Sequence, residues 1–101
     1  MVNQPRAFVV PAGGGTLVRG PAGGPAKIKA RTETTNGSLT LLEVTLGPKE
    51  GPPAHIHRRE DEAWYPLDGR FRFIADDELF EVGPGAFVFM PRGTAHCFQN
   101  L

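Results

Sequence analysis

The 101-residue sequence has almost no cysteine and no excess of charge of either sign. It contains a single cysteine, Cys97, and its 11 basic residues are matched by 11 acidic ones. One cysteine forms no disulfide within the chain, and a reducing cytoplasm is the simplest compartment for such a protein. No basic stripe is present of the kind that follows a phosphate backbone. We therefore expect a cytoplasmic protein without a nucleic-acid partner.

Long apolar runs are also missing. Near the N-terminus the only such run is Ala7-Phe8-Val9-Val10, whereas a signal peptide needs roughly 7–15 apolar residues. No stretch approaches the ~20 apolar residues that span a membrane. The sequence therefore predicts neither a cleaved leader nor a membrane partner.

Glycine and proline are abundant, at 13 and 10 residues, which favours tight turns between short strands. No segment keeps a helical period over ten residues, so we expect strands without helices. The predicted strands are 6–10, 16–18, 27–35, 38–46, 62–67, 71–75, 78–82, 86–90 and 95–99. This pattern indicates an all-β, antiparallel sandwich or barrel. We interpret residues 1–101 as one domain, with a Gly/Pro-rich strand and arm over 1–27 and the core over 28–101.

Two of these strands allow a prediction about burial. In 38–46 the set Thr40, Leu42, Val44 and Leu46 has one parity and is more apolar than the other, which predicts that it faces the core. Residues 86–90 are apolar throughout, as in a strand that is buried on both faces.

The three histidines fall into one pattern with a glutamate. His55 and His57 lie two positions apart, Glu62 follows, and His96 comes after a Pro-Arg-Gly turn. Imidazole nitrogens and a carboxylate oxygen are donors that hold a divalent transition metal. A two-residue spacing on a strand points both imidazoles to one face. The pattern predicts a metal centre inside a β-structure, although a His-x-His pair by itself also occurs by chance.

Residues 47–100 resemble the cupin superfamily at both of its motifs. The second motif, with its fixed spacing, matches at Gly85, Pro91, Gly93, His96 and Asn100. The first motif matches at His55, His57, Glu62 and Gly69. One position departs from the pattern: the family glycine six residues before the first histidine is replaced here by Lys49.

The resemblance implies an antiparallel jelly-roll β-barrel with one divalent metal held by His55, His57, Glu62 and His96. Mn, Fe, Co, Ni, Cu and Zn all fit this ligand set, so it does not determine the identity of the metal. Coordination positions would remain for water, O₂ or a chelating substrate, and Glu62 is the expected catalytic base. The alternative is a barrel that keeps the motif residues with an unfilled or purely structural site.

The resemblance leaves three functions open. The first is a metal-dependent small-molecule enzyme such as a dioxygenase of the quercetinase type. The second is an isomerase, cyclase or decarboxylase that uses the metal as a Lewis acid. The third is a non-enzymatic barrel that binds a small ligand, because fold alone does not determine function.

Two further expectations concern the surroundings of the site. Trp64, Phe73, Met90 and Phe98 are predicted to line the substrate pocket, with core packing as the alternative role. Family barrels usually have one or two further strands after the second motif, and soluble proteins cover open sheet edges. We therefore expect a homodimer with strand exchange or sheet continuation between subunits.

Overall fold

The computed structural model describes residues 6–20 and 23–101, which form short antiparallel strands and one helical turn. The elements are β1 (Thr16–Arg19), β2 (Pro25–Ala30), α1 (Thr32–Thr35), β3 (Leu41–Val44), β4 (Glu62–Trp64), β5 (Phe71–Ala75), β6 (Glu78–Val82), β7 (Val88–Met90) and β8 (His96–Asn100). Every strand pairing is antiparallel, which confirms the predicted fold class. The chain forms two compact units, Met1–Thr45 and Leu46–Leu101. The division into an arm over 1–27 and a core over 28–101 stays a prediction.

Unit Met1–Thr45 contains one sheet in the order β1-β2-β3. A register shift interrupts the β2–β3 pairing between Ile28 and Ala30. The single turn α1 follows at once, which corrects the expectation of a chain without helix. Asn36 ends it in the left-handed region at φ 53°, which is a common way for a helical turn to end.

Two predictions for this unit were wrong. Residues 6–10 contain no strand. The expected core face of 38–46 is not buried, because all four residues of β3 are exposed, Leu42 and Val44 included. The alternation indicates which side chains share a face, but burial also needs a second layer. The described residues of this unit supply a single sheet.

Unit Leu46–Leu101 contains a two-stranded sheet, β4-β7, and a three-stranded sheet, β6-β5-β8. Its buried apolar side chains are Phe73, Val88 and Met90. The β5–β6 hairpin matches its predicted bounds, with Asp76-Asp77 as the turn. Strand β7 is not buried on both faces as expected: Phe87 and Phe89 are 66% and 54% exposed. Because β7 pairs with β4 in a two-stranded sheet, only the Val88 and Met90 face is covered.

In the described ranges, no helix has the length and apolar character needed to cross a membrane.

Candidate metal centre

The structure brings the four predicted ligands together, all within the unit Leu46–Leu101. One ligand atom from each of His55, His57, Glu62 and His96 lies within 4.8 Å of the others. His55 and His96 form an isolated antiparallel bridge in which each backbone N–H donates to the other's carbonyl at 2.9 Å. Their rings are 4.4 Å apart between centroids. The bridge therefore joins the loop of the first motif to the strand of the second.

Each histidine ring has a hydrogen-bond acceptor opposite its Nδ1. The acceptors are the Pro53 carbonyl at 2.8 Å for His55, the Glu60 carboxylate at 3.0 Å for His57, and the Thr94 carbonyl at 2.9 Å for His96. A ring whose Nδ1–H donates to such an acceptor has its Nε2 lone pair available for a metal. All three imidazoles are thus held with Nε2 as the available donor.

Glu62 supplies the fourth donor group from the start of β4. One of its carboxylate oxygens contacts His57 Nε2, and the other lies 3.3 Å from His96 Nε2. His96 is 3% exposed, whereas Glu62 and His57 are half-buried. The site therefore has a buried side at His96 and a side open to solvent. Carboxylate and imidazole donors in this mixture suit a divalent transition metal.

Motif glycines shape the turns around these ligands. Gly93 has φ 87°, a conformation that favours glycine, and its N–H donates to the His57 carbonyl at 2.8 Å. Gly85 has φ 86°, and its N–H donates to the Pro66 carbonyl at 3.0 Å. The Gly93 bond holds the turn before His96 against the backbone of another ligand. Backbone conformation thus explains why these two motif positions favour glycine.

The last motif residue, Asn100, anchors the loop that leads into the first motif. Its side-chain amide donates to the carbonyls of Leu46 at 3.0 Å and Gly47 at 2.9 Å. Its backbone carbonyl accepts from the N–H of Lys49 at 2.9 Å. A Cβ at Gly51 would overlap the carbonyl oxygen of Phe98. The loop therefore lies against β8, and glycine at position 51 permits that close approach.

Lys49 shows what the departure from the family pattern means. It has φ 65°, in the left-handed region where glycine is favoured. The loop keeps a glycine-like conformation although the residue has a side chain. A side chain at this φ carries a cost in backbone strain.

An ion pair that the sequence did not indicate lies beside Glu62. Asp61 accepts hydrogen bonds from the Arg92 backbone N–H at 2.9 Å and from the guanidinium Nε at 3.2 Å. The side-chain hydrogen bond from Arg92, followed by the backbone one, lowers the pKa of Asp61. The same side-chain bond raises the pKa of Arg92. The pair links the residue before β4 to the turn after β7.

The predicted pocket residues form an aromatic group beside His96. Trp64 lies 5.7 Å from His96, 5.2 Å from Phe73 and 5.4 Å from Phe98 between ring centroids. Phe73 and Phe98 stack at 5.3 Å. Met90 is buried and opposes Glu62 across the β4–β7 register. Their role as pocket walls stays a prediction, since core packing explains the same contacts.

Comparison with known proteins gives a family and several relatives. A family model described as a cupin domain matches residues 42–101. Quercetin 2,3-dioxygenase of Bacillus subtilis is 27% identical over 74 residues, which is 72% of this chain and 22% of that enzyme. An uncharacterised protein of Methanocaldococcus jannaschii is 34% identical over 64 residues, covering 63% of this chain and 50% of that protein.

Among solved structures, KdgF from Halomonas sp. matches with a TM-score of 0.68 and 26% identity, over 76% of this chain and 66% of that chain. The chain spans only part of its curated relatives, from 12–13% of two bacterial mannose-1-phosphate guanylyltransferases to 50% of the archaeal protein. The family match nevertheless extends over more than half of the chain and includes both histidine motifs. This chain therefore belongs to the cupin family, whose fold is the antiparallel jelly-roll β-barrel.

Proposed function

We propose that this chain is a metal-dependent small-molecule enzyme, such as a dioxygenase of the quercetinase type. The observation behind the proposal is the convergence of one ring nitrogen from each of three imidazoles and one carboxylate oxygen within 4.8 Å. The similarity to quercetin 2,3-dioxygenase, at 27% identity, supports the same class of reaction.

His55, His57, Glu62 and His96 would hold one divalent transition metal. The donor set fits such an ion, because each Nδ1 already faces an acceptor and each Nε2 is left for the metal. When bound, the metal would supply Lewis acidity and, if redox-active, reactivity toward O₂. The ligand set does not select among Mn, Fe, Co, Ni, Cu and Zn.

The chain's own residues would orient a substrate and move a proton. Glu62 is half-buried and faces the imidazoles of both His57 and His96. A carboxylate in this position is suited to accept a proton from an acidic substrate hydroxyl, so we assign Glu62 as the catalytic base. Trp64 lies beside His96 and would give a flat or apolar substrate a surface to pack against.

Elemental analysis of the purified protein tests the metal site first. We expect about one transition metal per chain in the wild type, none in a His57→Ala/His96→Ala variant, and an unchanged content in Glu78→Gln, an exposed position on β6. O₂ uptake would then be measured with flavonols, thiols and diketones on protein loaded with Fe, Mn, Ni or Cu. Uptake that depends on both metal and substrate is the expected result.

The same experiment separates the alternatives. One zinc per chain with no O₂ uptake would favour an isomerase, cyclase or decarboxylase that uses Lewis-acid chemistry. No metal in the wild type, even after reconstitution, would overturn the enzyme proposal and favour a barrel that binds a small ligand.

The macromolecular partner that we propose is a second copy of this chain. Tyr65, Phe87 and Phe89 are 62%, 66% and 54% exposed and flank the pairing of β4 with β7. Exposed aromatic side chains grouped in this way are typical of protein interfaces. Among the described residues, β4 and β7 pair only with each other, so each keeps an edge that a second copy would extend.

A further inference from the structure

His57 differs from the other two imidazoles in what its Nδ1 faces. His55 and His96 face neutral backbone carbonyls, whereas His57 Nδ1 lies 3.0 Å from a carboxylate oxygen of Glu60. Glu60 contributes no donor to the four-residue group and has no role in the motifs. Its position three residues after His57 lets the intervening turn bring the two side chains together.

Hydrogen bonds hold the chain in place on both sides of Glu60. The His57 carbonyl accepts from the Gly93 N–H at 2.8 Å. On the other side, Asp61 is bonded to the backbone and guanidinium of Arg92. Glu60 thus lies between two residues that are both held to the turn preceding His96. This arrangement fixes the backbone from which the Glu60 carboxylate reaches His57, although 61% of the Glu60 side chain is exposed.

We infer that Glu60 is a positioning residue for the metal centre, which acts through His57 by accepting its Nδ1–H. The inference rests on the proposed function, since it requires that a metal binds. A hydrogen bond to an ionised acceptor is stronger than one to a neutral carbonyl. It orients the ring and raises the electron-donating strength of Nε2. Glu60 therefore makes His57 the strongest of the three imidazole donors.

A positioning role of Glu60 has two consequences that a plain surface ion pair with His57 would not have. Removal of the carboxylate weakens metal binding, because His57 loses both orientation and basicity. It also raises the reduction potential of a bound redox metal, because a weaker donor stabilises the oxidised state less. An exposed ion pair without a link to the metal would change neither property.

The variants Glu60→Gln and Glu60→Ala test this, with Glu78→Gln as the charge-matched control. Co²⁺ and Zn²⁺ affinities would be measured by competition with a chromophoric chelator. Outer-shell substitutions cost about 10–100-fold in metal affinity. Because Glu60 is exposed, we expect a loss of metal affinity at the lower end of this range, about tenfold, for the alanine variant. Glutamine keeps an acceptor without the charge, so its loss should be smaller, and the control should match the wild type.

A second readout is the Fe³⁺/Fe²⁺ potential of the iron-loaded proteins, which should shift to more positive values in both Glu60 variants. Metal-free unfolding curves of the three variants should coincide with that of the wild type, which separates the effect from a loss of folding. If the wild type binds metal and the Glu60 variants behave like Glu78→Gln, the inference is wrong and the proposed function stands. If the wild type binds no metal, the proposed function itself fails.

Discussion

The backbones of His55 and His96 exchange two hydrogen bonds of 2.9 Å, so two ligands from separate motifs are joined before any metal is considered. The two side chains nevertheless differ in environment, since His96 is 3% exposed and His55 is only partly buried. The Nδ1–H of His96 donates to the Thr94 carbonyl, and its Nε2 lies 3.3 Å from the Glu62 carboxylate. The backbone bridge should survive substitution of either side chain. Removal of the ring, however, should lower the free energy of unfolding by different amounts at the two positions.

We predict that His96→Ala destabilises the metal-free protein, whereas His55→Ala mainly abolishes metal binding. The buried substitution leaves polar partners unsatisfied, at a cost of about 1–3 kcal/mol. The more exposed one should cost less than about 1 kcal/mol. Urea unfolding of chelator-treated proteins would measure the difference. Equal destabilisation by both variants would contradict this account of the site.

Lys49 offers a test of what the family pattern predicts. The resemblance expects glycine there, and the backbone of this chain keeps the glycine-like φ of 65°. A non-glycine residue in the left-handed region costs about 1–2 kcal/mol, and glycine's extra unfolded-state entropy offsets about 0.5–1 kcal/mol of that.

Lys49→Gly should therefore stabilise the protein by up to about 1.5 kcal/mol, seen as a higher urea midpoint with an unchanged slope. The neighbouring Glu50→Gly is the control and should be destabilising. Glu50 is not among the positive-φ residues, so glycine relieves no strain there and only increases the entropy of the unfolded chain. A lower midpoint for Lys49→Gly would show that the lysine side chain stabilises the loop by more than the backbone strain costs.

The parts of this molecule that the sequence predicted are those set by local chemistry. The Asp76-Asp77 hairpin depends on turn residues between two alternating strands. His55 and His57 were expected on a strand, but they lie outside the strands, with only an isolated bridge at His55, so the loop and not strand periodicity brings their rings together. The contacts of Glu60 with His57 and of Asp61 with Arg92 depend on tertiary placement, so the acidic run 60–62 gave no indication that its members differ in role. Burial was also mispredicted for Leu42, from alternation, and for Phe89, from a continuous apolar run. Neither pattern shows whether another layer covers the face.

Phe89 gives the test of the proposed homodimer. A dimer that buries the exposed aromatic face beside β4 and β7 should lose its apolar contact in Phe89→Ser and shift toward the monomer. Leu79→Ser is the matched control, because Leu79 is an exposed apolar residue on β6, in the other sheet of this unit. Light scattering at micromolar concentrations would report the masses. A monomeric wild type would reject the dimer, and equal dissociation by both variants would place the interface elsewhere.

The pairing of Asp61 with Arg92 predicts a pH dependence of stability with a definite sign. Arg92 holds the pKa of Asp61 below its ordinary value of 3.8. A carboxyl group whose pKa is lower in the folded state stabilises the protein above the unfolded-state value, and that contribution is lost as the pH falls through the folded-state value.

Arg92→Gln removes the guanidinium while keeping the backbone N–H that also donates to Asp61. We therefore expect the variant to melt below the wild type at pH 7, with the gap closing as the pH drops below about 3.8. Both proteins would be stripped of metal first, so that titration of the histidine ligands does not enter through metal loss. Arg58→Gln, a charge-matched substitution at an exposed position, should show no such closing gap. A difference that persists unchanged at low pH would mean that Arg92 stabilises the turn through packing of its side chain and not through the charge of Asp61.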